Sequence, residues 1–270
     1  MIATFNIKKI NLNQSVEAED QLAVEEPLEI QLSVDKQGDT APRNLSVTMR
    51  TPGQDDELAI GFLFTEGIIQ NREQVKGVSS TGQNTVLVTL AENVNPSLQK
   101  TDRNFYMTSS CGVCGKSSID AIRTVSAYQH IQGDFGVSGT LLYSLPEQVR
   151  KQQKIFDSTG GLHATALFDG QGKLMLLRED VGRHNAMDKI IGGALMKGLL
   201  PLNHAILLLS GRASFELIQK ASMAGIKLVA AIGAPSSLAV ELAKEFDMTL
   251  IGFLRDKRFN IYSGSKRIIV

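Results

Sequence analysis

Tryptophan is absent from the 270 residues, cysteine occurs only twice, and the net charge is zero, with 28 Lys plus Arg against 28 Asp plus Glu. The charge balance gives the chain no broad electrostatic footprint for a phosphate backbone, so no nucleic-acid partner is expected. No stretch approaches the ~18 uninterrupted apolar residues of a membrane span, so no membrane partner is expected either. Met1-Ile-Ala-Thr-Phe-Asn lacks the basic region and apolar stretch of a signal peptide. One cysteine pair in a chain this long is not a disulfide framework. Together these absences place the protein in the cytoplasm. There is no internal repeat and no low-complexity segment. Hydrophobic residues make up 43%, enough for a sizeable core, and the length suits one large domain or two modest ones.

The two cysteines stand close together in Met107-Thr-Ser-Ser-Cys-Gly-Val-Cys-Gly-Lys116. Cys111 and Cys114 have the C-x-x-C spacing, with glycine after each and small hydroxyl residues around them. Such a pair can share a metal, close a small disulfide or assist sulfur-group transfer, and each of these uses the thiolate. Structural zinc needs a full tetrahedral ligand set, and only His163 and His184 are plausible helpers, both far along the chain. A thioredoxin-like site is disfavoured by the absence of tryptophan and of proline between the thiols. A persulfide relay fits a glycine-flanked thiol without a fixed partner. Ser117–Gln129 has helical spacing at Ile119, Ile122 and Val125. Both thiols thus precede a helix N-terminus, whose partial positive charge favours thiolate, as does Lys116.

Residues 1–106 read as a small strand-rich α+β domain. Residues 1–24 are polar and mixed, a strand and loop at an edge. Leu28–Val34 and Leu45–Met49 alternate as half-buried strands, and Thr85–Leu90 is a third. Leu58–Ile69 reads as a mostly buried helix capped by Asp55 or Asp56. Residues 107–134 hold the cysteines and a connecting helix. Residues 135–270 read as a three-layer α/β/α domain. There Ser144-Leu-Pro-Glu147 is a capping box opening a helix to Phe156, and Ala164–Phe168 and Lys173–Leu177 form a hairpin around Asp-Gly-Gln-Gly. Helices over Arg183–Lys197, Ser214–Met223 and Ser236–Phe246 alternate with apolar strands over Ala205–Leu209, Lys227–Ile232 and Met248–Leu254. That alternation predicts parallel strands with right-handed crossovers, which bind ligands at the strands' carboxyl ends.

Besides the cysteines, three clusters lie at such junctions. Thr159-Gly-Gly-Leu-His163 contains Gly160, Gly161 and His163. Glu179-Asp-Val-Gly-Arg-His-Asn-Ala-Met-Asp-Lys189 contains Asp180, Arg183, His184 and Asp188. Ser210-Gly-Arg-Ala-Ser214 contains Ser210, Gly211, Arg212 and Ser214. Taken singly, Asp180 is an N-cap and His184 with Asp188 an i, i+4 surface pair. Taken together, donors gathered at a helix N-terminus suit a phosphate or a purine edge.

With Gly252-Phe-Leu-Arg-Asp-Lys-Arg-Phe-Asn-Ile-Tyr262, these stretches resemble the formate dehydrogenase accessory sulfurtransferases, the FdhD/NarQ family. They run in family order from about residue 25 to the C-terminus. The resemblance implies sulfur transfer from a cysteine desulfurase to the molybdenum bis-guanine-dinucleotide cofactor, Mo-bis(MGD), of apo-formate dehydrogenase. It also implies a homodimer, and a C-terminal domain similar to cytidine deaminases. On that resemblance Cys111 bears the persulfide and Cys114 assists. The cofactor's guanine ends, for which guanine nucleotides are partial mimics, would lie against residues 160–163, 180–189, 210–214 and 253–258. The last stretch is Phe253, Leu254, Arg255, Asp256, Lys257 and Arg258, whose guanidinium groups suit pyrophosphate. Asp180 or Asp188 would accept from the guanine N1–H and N2 amine. The alternative is a cofactor-carrying chaperone whose cysteines hold zinc. A zinc deaminase is disfavoured, because Ala-Thr follows His163 where that chemistry needs a glutamate.

Overall fold

The computed structural model describes residues 1–34, 41–92, 94, 127–128, 130–133 and 135–270. Cys111, Cys114, Lys116 and nearly all of the helix expected over Ser117–Gln129 lie outside the described residues.

The first 24 residues differ from the strand and loop expected of them. They form one antiparallel hairpin of β1 (Ile2–Asn11) and β2 (Gln14–Ala23), turning at Leu12-Asn13. Next come β3 (Glu26–Val34), β4 (Arg43–Arg50), α1 (Asp55–Thr65), β5 (Val75–Gly82) and β6 (Thr85–Leu90). The four strands make one sheet in the order β4-β3-β6-β5. Leu28, Ile30 and Leu32 of β3 and Val86, Val88 and Leu90 of β6 are buried in one core, as a period of two requires. β5 was not read from the sequence, because its largely polar residues carry no alternation.

Helix α1 begins at Asp55, but neither Asp55 nor Asp56 is its N-cap. The cap position is Gln54, which makes no side-chain cap bond. Asp55 instead takes the buried Arg50 guanidinium in a fork, at 3.0 and 2.9 Å. The helix stops at Thr65 rather than Ile69, because Gly67 turns the chain through a φ of 73° and the Ile68 amide bonds back to Leu63.

The second half begins with β7 (Val137–Ser138), α2 (Gly139–Gln152) and α3 (Lys154–Thr159). α2 is capped by Ser138, whose hydroxyl accepts from Leu141 N at 3.2 Å. The expected capping serine, Ser144, lies inside the helix and donates back to Leu141 O at 2.7 Å. There follow β8 (His163–Phe168), β9 (Leu174–Asp180), α4 (Arg183–Met196), β10 (Ile206–Leu209), α5 (Phe215–Met223), β11 (Leu228–Ala231), α6 (Ser237–Glu245), β12 (Thr249–Arg255), β13 (Arg258–Ser263) and β14 (Ile268–Ile269). Six strands join in the order β13-β12-β11-β10-β8-β9, and β14 pairs with β7. The β10-β11-β12 trio is parallel as expected. The flanks are antiparallel: β8 against β10, β9 against β8, and β13 against β12. β13, the last strand of this sheet, was not foreseen.

One face of this sheet packs under α2, through Ala164, Ala166, Phe168, Leu208 and Ala230 against Leu142, Leu145 and Val149. The other face shares a core with α4, α5, α6, α1 and the four-stranded sheet. Helix α4 is therefore sandwiched, and it is buried from His184 to Leu195. Where it crosses α1 the two backbones touch. A Cβ on Gly61 would lie 1.9 Å from Asp188 O, and one on Gly192 would lie 1.9 Å from Glu57 O. Glu57 also takes the Arg178 guanidinium of β9, with Nη2 to Oε1 at 2.6 Å.

This crossing predicts the cost of a single methyl. Gly192→Ala should lose about 3 kcal/mol or more in urea unfolding, the upper range for overpacking, despite alanine's higher helix propensity. Gly193→Ala, whose methyl meets only the Glu57 carboxylate at 3.0 Å, should lose less. A Gly192→Ala protein as stable as the parent would rule out the close crossing.

Candidate functional site

The strand senses bring the sequence clusters to one end of the six-stranded sheet. Parallel strands β10, β11 and β12 release the chain there at Ser210, Ile232 and Asp256. Antiparallel β8 starts at that end with His163, and β9 finishes there with Asp180 opposite it in register. The loops are knitted together. Ala164 N donates to Ser210 Oγ at 2.8 Å. Gly233 N donates to Gly211 O at 3.0 Å, and Phe253 N to Gly233 O at 3.1 Å. Gly211 packs beside the imidazole, where a Cβ would stand a tight 3.3 Å from His163 Nδ1.

His163 is half-buried. Burial pushes its pKa down, the nearby Arg183 cation pushes it further, and Asp180 opposes them in part. Arg183 opens α4, and Ser214 occupies the N-cap position of α5. Among the described residues, Arg183 Nε and Ser214 Oγ are buried without a hydrogen-bond partner. Ser214 does not cap its own helix, the usual use of a serine there. Arg212 is exposed, as are Gly160 and Gly161, and Gly160 ends α3 in the left-handed conformation with φ 64°. The N-termini of α4, α5 and α6 thus open at this end of the sheet, each a source of backbone N–H donors and positive potential.

Asp180 and Asp188 are not available to a guanine edge. Asp180 is fully buried and all its acceptor directions are taken. Oδ1 accepts from Gly182 N at 2.8 Å and Asn185 Nδ2 at 3.0 Å. Oδ2 accepts from Thr51 N at 3.2 Å and pairs with Lys189 Nζ at 2.7 Å. Asp188 is buried against α5 and α1. Both its oxygens lie 2.8 Å from Lys220 Nζ, and Thr65 Oγ1 donates to Oδ1, also at 2.8 Å. Burial pushes its carboxyl pKa up, against the downward pull of Lys220 and Thr65. His184 and Asp188 are therefore not a surface pair. Each faces α5, His184 toward Glu216 and Asp188 toward Lys220.

The 253–258 stretch is a hairpin rather than a loop after a final strand. Asp256 and Lys257 make its turn with φ of 52° and 54°, and Arg255 pairs with Arg258. A register shift between Gly252 and Arg255 accommodates Phe253 at φ 56°. Leu254 is buried in the core and Phe253 is half-buried, while Arg255, Asp256, Lys257 and Arg258 are exposed. Three strand spacings separate β12 from β8, about 14 Å at ~4.8 Å each, so these arginines share the sheet end with His163 without touching it. Sequence reading missed Thr51, which holds Asp180 together with Asn185, and Glu216. For Glu216 a signal existed, an acidic residue in the first turn after the Ser210–Ser214 junction.

If Asp188 is a clamp, Asp188→Asn should cost about 3–5 kcal/mol, because the buried Lys220 ammonium then keeps Thr65 Oγ1 at 2.8 Å but, among the described residues, no carboxylate closer than Glu66 at 3.8 Å. Asp188→Leu combined with Lys220→Met should recover most of that loss in chemical denaturation. A single substitution costing under about 1 kcal/mol would show that the clamp is not structural.

Comparison with known proteins places the chain. The FdhD/NarQ family model matches residues 23–269. The sulfur carrier protein FdhD of Mycolicibacterium paratuberculosis is 50% identical over 97% of each chain. That of Saccharolobus solfataricus is 39% identical over 99% of this chain and 98% of its own. A crystal structure of a putative formate dehydrogenase accessory protein from Desulfotalea psychrophila has the same fold, with a TM-score of 0.77 at 23% identity over 99% of both chains. With a family pattern that begins where β2 ends and runs to the last strand, and with relatives matched over nearly their whole length, this chain belongs to the FdhD/NarQ family.

Proposed function

We propose that the protein is a sulfur carrier for the maturation of formate dehydrogenase. The observation that carries the reading is the convergence of the sequence clusters on one end of the six-stranded sheet, in a chain that also holds a C-x-x-C pair. Relatives at 39–50% identity bear the name sulfur carrier protein. A cytoplasmic cysteine desulfurase delivers the sulfur. Its persulfide S–S bond breaks as the Cys111 thiolate takes the terminal sulfur, and the desulfurase thiolate leaves. Attack by the Cys114 thiolate on the Cys111 Sγ then expels the terminal sulfur at the sulfide level and leaves a Cys111–Cys114 disulfide. A thiol reductant must reopen this disulfide before the next turnover. The acceptor is Mo-bis(MGD), bound as substrate by a homodimer. Its guanine nucleotide ends lie against the sheet end of the deaminase-like half, near His163, Arg183, Ser210–Ser214 and the 253–258 hairpin. Helix N-termini and guanidinium groups there suit phosphates.

Incubation with a desulfurase and cysteine should add one sulfur atom to Cys111 by intact-mass and peptide mass spectrometry. Cys111→Ala should stay unmodified and fail to mature formate dehydrogenase, while Cys114→Ala should still acquire the sulfur. Normal maturation by Cys111→Ala would end the relay reading.

The depressed pKa of His163 gives a second test. A bound phosphate offsets the Arg183 cation and raises the imidazole pKa, so binding takes up a proton. GDP affinity should therefore rise, by up to about tenfold per pH unit, as pH falls through the bound-state pKa and level off below the free-state one. Comparison with His163→Asn by calorimetry cancels the titration of the nucleotide's own phosphate. Identical pH profiles for the two proteins would remove His163 from the site.

A further inference from the structure

We infer that one face of the N-terminal hairpin is where two copies of this chain meet, an assignment that rests on the homodimer reading above. The register of β1 against β2 gathers Ala3, Phe5 and Ile7 with Val16, Ala18 and Leu22 on that face, because cross-strand partners point the same way. Thr4, Asn6 and Lys8 with Glu17, Glu19 and Gln21 point to the other. Ile2 and Ile10, at the ends of that polar face, blur the alternation in the sequence. The base of the hairpin rests on the body, with Ala23 Cβ 3.8 Å from where a Cβ on Gly161 would stand. Beyond the base both faces are solvated. Phe5 is 52% exposed and Val16 60%, and the six residues of the polar face are exposed too. Among the described residues no third strand joins the pair. A two-stranded hairpin is at best marginally stable in water, and an apolar face with a polar back marks a contact surface.

Two charges interrupt the apolar face, and they decide what covers it. Lys9 stands beside Val16 and Asp20 beside Phe5. These two rows lie on either side of the Ile7–Ala18 row, one toward the tip and one toward the base. Within one hairpin the charges are four residues apart along the strands, about 14 Å at ~3.4 Å each, too far to pair. Asp20 accepts from the adjacent Gln21 N at 3.0 Å, and neither charge has an ion-pair partner among the described residues.

A second copy laid face to face, tip over base, about a two-fold axis through the Ile7–Ala18 row places each Lys9 over the row of Phe5 and Asp20. The Lys9 stem then covers the partner's Phe5, and its ammonium reaches the partner's Asp20, twice by symmetry. The turn at Leu12, 98% exposed, comes over the base at Ala3 and Leu22. The two hairpins together form a two-layer unit of four strands with an apolar middle. A wholly apolar partner would bury both charges unpaired, and a partner of one sign would pair one and strand the other. A copy of the same face satisfies both.

Equilibrium sedimentation of the full chain over a concentration series tests the assignment. The parent protein should be a dimer. Phe5→Glu should weaken self-association roughly 100-fold or more, by placing an unpaired charge in the contact. Lys9→Asp and Asp20→Lys, each setting like charges together twice per dimer, should each weaken it by about tenfold or more. The two reversals combined in one chain should bring the dissociation constant back to within about threefold of the parent, the non-additivity expected of residues in contact. No role inside a single hairpin predicts that rescue, because the two residues do not meet there. If the parent is a dimer and none of the three single substitutions changes its dissociation constant, the copies meet elsewhere and the homodimer reading stands without this face. A combined variant as weak as the single reversals would overturn the tip-over-base pairing. A parent that is monomeric at every concentration would end both the homodimer reading and this assignment.

Discussion

The crossing of α1 over α4 is the constraint on which the rest depends. Gly61 and Gly192 let two helix backbones meet where any side chain would collide with a carbonyl oxygen. Helix α1 covers the four-stranded sheet and α4 covers the six-stranded sheet, so the crossing sets one sheet against the other. The first turn of α4 also carries Arg183 and His184. The packing that joins the sheets therefore fixes the positions of candidate site residues, and a shift of an ångström at the crossing would be felt at the sheet end.

Polar groups finish what the glycines begin. Met49 O and Thr51 just beyond β4 meet the β9–α4 turn through Asn185, Asp180 and Lys189. Asn185 also accepts from Thr48 Oγ1 at 3.1 Å, and Val181 N donates to Thr51 Oγ1 at 3.2 Å. Buried ion pairs of this kind seldom add much net stability, since desolvation offsets their attraction. Their effect is on uniqueness, because only one placement of β4 against the turn satisfies all these donors and acceptors together. Any slip would leave a charge buried and unpaired.

Much of the second half was legible because its signals are local. Continuous apolar runs give β10 and β11, and the glycine turn between β8 and β9 gives a hairpin. The two ten-residue strands at the N-terminus were not legible, because little of that hairpin is buried and burial is what produces alternation. β13 was obscured by its arginine-led start, which reads equally well as a ligand loop. The Glu179–Lys189 stretch misled in a more instructive way. Its density of charged and amide residues was read as a ligand site, yet Asp180, Asn185, Asp188 and Lys189 point into the scaffold. A buried polar clamp and a binding site draw on the same residue types. Only the partners tell them apart, and Thr51, Thr65 and Lys220 are distant in sequence.

That division within one motif has a consequence for the site. The residues of α4 that face the scaffold are saturated, and Arg183 at the sheet end is not. Its Nε remains without a partner among the described residues. A fully satisfied network is rigid, and a partly satisfied one beside it retains donors and acceptors for something else. The sheet end also carries charges of both signs, the exposed guanidinium groups of Arg212, Arg255 and Arg258 and the partly buried Glu216 carboxylate. A ligand anionic at one end would be drawn to the guanidinium groups and repelled by Glu216, so the charges that the scaffold leaves exposed would set its orientation.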